Sequence, residues 1–139
     1  MTRLLMGLTA AVLLAVGSAA AHDAKQGTVR VGHAWAKPAD DGPARAFMPV
    51  LNEGGTGRTL VGASSPGATA ALVGKDGEVV DTIAVPAGKM VNLAAWREHI
   101  RLTGFDGALE QGERVPLTLR FADGTTLDLS VIVETEPGH

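Results

Sequence analysis

From Thr28 to Val133 the chain never sustains apolar residues at a helical spacing. It advances in short β-type runs, each cut off by Gly, Pro, Asn or Asp. Thr28 to Val31 alternates and continues through His33, Ala34 and Trp35, and Ala46 to Leu51 is apolar and stops at Asn52, Glu53, Gly54 and Gly55. Further runs are Leu60 and Val61, Ala70 to Val73, Glu78 to Ile83, Met90 to Leu93, His99 to Leu102, Val115 to Phe121 and Thr126 to Val133. About nine strands at this cadence predict an all-β domain, an antiparallel Greek-key sandwich. Lys75-Asp76-Gly77 marks a hairpin from which Glu78 to Ile83 returns, and Asp123-Gly124 marks the clearest one. Leu117, Leu119 and Phe121 share one face there, as do Leu127, Leu129 and Val131, so each strand should bury one side. Residues 22–27 read as a polar arm, and at most one turn of helix is expected, near Ala94 to Arg97.

The first 21 residues follow another rule. Arg3 is their only charge, Leu4 to Val16 is almost wholly apolar, and small residues follow from Gly17 to Ala21. Basic, apolar and small, in that order, describe a secretory signal peptide too short to span a bilayer, so no stable membrane insertion is expected. Ala19-Ala20-Ala21 fits the small-x-small cleavage rule and makes His22 the expected first mature residue; cleavage after Ala19 is the alternative. No cysteine adjoins that point, so no lipid anchor is expected on it. The net charge of −3 leaves no electrostatic footprint for nucleic acid. The absence of cysteine removes disulfides, thiolate metal sites and a nucleophilic thiol. No phosphate loop, nucleophile elbow or His-Glu-x-x-His pair is present, so an enzyme is not expected.

Four histidines remain as candidate metal ligands: His22, His33, His99 and His139. His33 also reads as a strand residue beside Trp35, His99 as a satisfied half-buried side chain and His139 as a chain end. Neither His33 nor His99 belongs to the main hydrophobic pattern. His22 differs, because processing would free its α-amine. Amine and ring Nδ1 can chelate one ion, and a second imidazole completes a three-nitrogen set suited to Cu(II).

Six segments in order also resemble the periplasmic copper chaperone family PCuAC. They are Val29 to Pro38 (VRVGHAWAKP), Ala46 to Asn52 (AFMPVLN), Leu60 to Pro66 (LVGASSP), Val85 to Gly88 (VPAG), His99 to Leu102 (HIRL) and Leu109 to Phe121 (LEQGERVPLTLRF). The resemblance implies a cupredoxin-like or immunoglobulin-like sandwich in the periplasm. It also implies copper held by a hairpin His and Met and by a later His-x-Met. His99 stands at the later histidine, but Arg101 replaces its methionine, and the hairpin from Leu72 to Ile83 has neither His nor Met. Without thioethers a Cu(I) site of the family type is not expected. A subset of the family lacking those ligands implies a histidine brace at the processed N-terminus. His22 fits it, with His33 as the favoured partner and His99 as the competitor.

The expectation is therefore an exported protein of residues 22–139 that buffers or delivers copper, Cu(II) favoured over Cu(I), through His22, His33 and His99. Its implied partner is a copper-acceptor protein of the membrane or periplasm. The alternatives are a metal-free interaction or assembly module and a site for another metal.

Overall fold

The computed structural model describes residues 23–40 and 42–135. The segment 1–21 expected to be a signal peptide, His22 and His139 lie outside the described residues.

Eleven strands carry the described chain: β1 (Ala24–Gln26), β2 (Val29–Val31), β3 (Trp35–Ala36), β4 (Ala44–Asn52), β5 (Arg58–Ser64), β6 (Thr69–Val73), β7 (Ile83–Val85), β8 (Met90–Leu93), β9 (His99–Thr103), β10 (Arg114–Phe121) and β11 (Thr126–Val133). Among the described residues there is no helix, and the segment Ala94 to Glu98 is a turn closed by the Ala94 N–H on the Glu98 carbonyl. No helix of the described residues is long and apolar enough to cross a membrane.

The strands form a cupredoxin-like Greek-key sandwich whose two sheets share β4. One sheet runs β1-β2-β4-β8, and the other β6-β9-β4-β3-β11-β10-β5-β7. The first half of β4 pairs with β9 and β3, while Met48 to Leu51 pairs with β8 and Val50 to Asn52 with β2. A strand that changes sheets makes the corner of such a fold. Pro49 sits at that change of partners, and its carbonyl accepts from the Gly32 N–H. In a strand the N–H and C=O of one residue point the same way. The donor that proline lacks would have answered the Gly32 carbonyl, so this pair keeps one bond of two, at the seam between the β2 and β3 ladders where the regular pairing ends.

The core lies between the sheets and follows the alternation of the strands. Ala44, Ala46, Met48 and Val50 bury one face of β4; Leu117, Leu119 and Phe121 do so on β10, and Leu127 and Val131 on β11. The β10–β11 hairpin sets Leu117 opposite Leu129 and Leu119 opposite Leu127. Its turn needs the left-handed conformation of Gly124, with φ at 92°.

Three features depart from the expected pattern. Residues 24–26 form a strand rather than an arm, because Gly27 at φ 61° turns the chain back so that Gln26 meets Val29. β3 and β11 pair in parallel, which breaks the purely antiparallel expectation. The return from Glu78 to Ile83 does not form beyond one bridge, Val73 to Val79. Val79 there is 57% exposed and packs on little, whereas Ile83 and Val85 become buried once β7 crosses to pair with β5. Burial of those two side chains outweighs the shorter connection.

Candidate metal centre

His33 lies between β2 and β3, and the parallel β3–β11 ladder determines what it meets. Trp35 aligns with Ile132 and Ala36 with Val133, and the Glu134 N–H donates to the Ala36 carbonyl. That register carries Glu134, the first residue beyond β11, back to the His33 loop. His33 Nε2 and Glu134 Oε2 stand 2.6 Å apart, both side chains half-buried. A carboxylate only accepts, so Nε2 carries the hydrogen, and in the neutral ring Nδ1 is the nitrogen with the lone pair. A carboxylate that takes one ring N–H in this way is the usual outer partner of a metal-binding histidine. Glu134 was not among the candidate residues: 101 positions separate it from His33, and no local pattern links them.

His99 opens β9 and is 6% exposed, more deeply buried than the half-buried, satisfied side chain its sequence context suggested. Its Nδ1 is 2.9 Å from the Arg97 carbonyl, which requires Nδ1 to carry the hydrogen and leaves the lone pair on Nε2. The ring stands edge-on to Phe47 at 6.2 Å, and Phe47 in turn meets Trp35 at 5.1 Å. Phe47 is buried on the face of β4 opposite Ala46 and Met48, so this aromatic series packs outside the main core.

Arg101, two residues further along β9, shares that outer face with His99. Its guanidinium donates to the Gly77 carbonyl at 3.2 Å. It therefore ties β9 to the turn at Lys75 to Glu78, within the segment Leu72 to Ile83 where the PCuAC resemblance implied a histidine and a methionine.

His33 and His99 are thus engaged separately, one with Glu134 and the other with Arg97. Among the described residues no three of His, Cys, Asp and Glu gather into a group that could hold a metal ion.

This architecture defines an all-β domain of the PCuAC type. The "Copper-bound PCuAC domain from PmoF2" superposes with a TM-score of 0.74 at 21% identity, over 83% of this chain and 99% of that one. The "Solution structure of CuI-DR1885 from Deinococcus Radiodurans" gives 0.62 at 27% identity, over 74% and 77%. Residues 28–133 match the family described as "LpqE-like: Putative lipoprotein LpqE-like", and the chain belongs to that family. A relative from Leifsonia xyli subsp. xyli (strain CTCB07), named "Putative lipoprotein Lxx21020", is 34% identical over 97% of this chain and 87% of its own length.

Proposed function

We propose that this chain is an exported, periplasmic protein that binds copper and buffers or delivers it without catalytic turnover, taking up Cu(II) at an N-terminal site. The α-amine and ring of His22, freed by cleavage after Ala21, would supply two nitrogens, and His33 would supply the third. The observation that carries this reading is the His33–Glu134 pair. It gives the His33 ring a carboxylate partner on Nε2, the kind of outer support that metal-binding histidines use. A set of three nitrogens without thioether suits Cu(II). The likeness to copper-bound PCuAC domains and the lipoprotein names of the relatives support the copper and export parts of the reading. His99 is the weaker partner, since its ring is buried and its Nδ1–H is committed to the backbone.

The Arg101 tether favours a second reading, a metal-free sandwich that works through its surface. Intact mass of the exported protein with and without added copper separates the two. The copper reading expects a chain starting at His22 with one ion and an axial, nitrogen-dominated electron paramagnetic resonance spectrum. It also expects His33→Ala to weaken binding severely while His99→Ala leaves the affinity unchanged. A start beyond His22, or no copper uptake by correctly processed protein, overturns it.

A further inference from the structure

Both tryptophans of this chain line one groove. Trp35 on β3 and Trp96 in the turn after β8 border a cavity of about 330 Å³, together with Phe47, Leu93 and Lys37. Trp96 is 76% exposed, the largest exposure among the large apolar side chains described. An indole left in water at the lip of an apolar groove is the kind of side chain that becomes an anchor when a partner covers it. The cavity can accept one or two large side chains, the scale of a peptide segment.

The charges at this groove have one sign. A neighbouring cavity of about 130 Å³ shares Lys37 and Phe47 with the first and adds Arg45. Lys37 and Arg45 are the charged residues lining the two cavities, and both are cations on a chain of net charge −3. The Arg45 guanidinium lies over the Phe47 ring at 5.9 Å, which joins the charge to the aromatic surface. Arg45 is also the direct cross-strand partner of Arg101. Like charges directly opposite on neighbouring strands are unfavourable, and a bound carboxylate relieves them. Neither arginine makes an ion pair among the described residues.

We propose that this groove docks an acidic segment of a partner protein, one apolar side chain seated between Trp35 and Trp96 and its carboxylates on Lys37 and Arg45. This does not rest on the copper reading, because none of these residues is a ligand in it.

The groove carries its own reporter, since Trp35 and Trp96 give all the indole emission of the chain. The probe is a capped hexapeptide with Leu-Phe in the middle and two glutamates on each side; the control has lysines in place of the glutamates. The acidic peptide should give a saturable emission change that weakens with salt, and the lysine peptide none. Trp96→Ala, Lys37→Glu and Arg45→Glu should each raise Kd roughly tenfold or more. Lys37 and Trp96 are exposed, so the thermal melts of their variants should match that of the unaltered protein. No saturable change at about 1 mM acidic peptide, equal binding of the lysine peptide, or emission that varies only with protein concentration, as self-association would give, overturns the proposal.

Discussion

Replacing His99 by alanine tests whether this residue is packing or ligand. The ring is 6% exposed, donates to the Arg97 carbonyl at 2.9 Å and stands edge-on to Phe47 at 6.2 Å. Loss of the aromatic contact costs about 0.5–1.5 kcal/mol. Loss of the hydrogen bond costs about 1 kcal/mol, because Arg97 is half-buried and its carbonyl regains some water. The space left by the ring adds to both, for roughly 2–4 kcal/mol in all. With a urea slope of about 1–3 kcal/mol per molar, the unfolding midpoint should fall by on the order of 1–2 M. Asparagine places an N–H where Nδ1 stood, so His99→Asn should recover about 1 kcal/mol. Copper titration well below the melting range should give His99→Ala the affinity of the unaltered protein. A variant of unchanged stability that had lost copper affinity would refute this reasoning and make His99 a ligand.

Glu134→Ala should lower Cu(II) affinity by about 10–100-fold, while Glu134→Gln, which keeps an acceptor oxygen, should lose less; equal affinities in calorimetric titration would separate Glu134 from the metal. Asn52 is fully buried, with Nδ2 on the carbonyls of Thr56 and Val85 and Oδ1 accepting from the Gly54 N–H. Asn52→Leu leaves the Val85 and Gly54 groups unpaired and should cost about 2–4 kcal/mol in urea unfolding. The backbone N–H and then the hydroxyl of Thr125, assisted by Arg58, hold the Asp123 carboxyl below its ordinary range. A lowered folded pKa contributes stability above the unfolded value that is lost as pH falls below about 4, so Asp123→Asn should flatten that acid limb. Arg101→Met removes the tether to Gly77 but supplies one thioether beside a committed His99; a Cu(I) gain above roughly tenfold in competition assays would show the old site to be nearly intact.

The strand cadence, the Asp123-Gly124 turn and the alternation of β10 and β11 were legible in the chain because turn chemistry and period-two burial act over a few residues. The same local signals misread one place. Glu78 to Ile83 looks like the return of a hairpin, yet Ile83 and Val85 find deeper burial beside β5. His99 reads from the chain as half-buried and satisfied, and the structure buries it further, because its environment comes from Phe47 on β4 and the Arg97 carbonyl in the preceding turn. That Arg101 stands where the PCuAC resemblance implies a methionine is legible in the residues, whereas the grip of Arg101 on Gly77 depends on how β9 lies against the turn.

By itself the sequence determined the histidine inventory, the lack of cysteine and an all-β chain, since composition and local periodicity decide those. Only the tertiary structure decided that Glu134 meets His33 and that Trp35 and Trp96 face one groove. The physical reason is register: a parallel ladder between β3 and β11, and a strand β4 shared by two sheets, bring together residues far apart in the chain, 101 positions for His33 and Glu134, and no local propensity encodes that alignment.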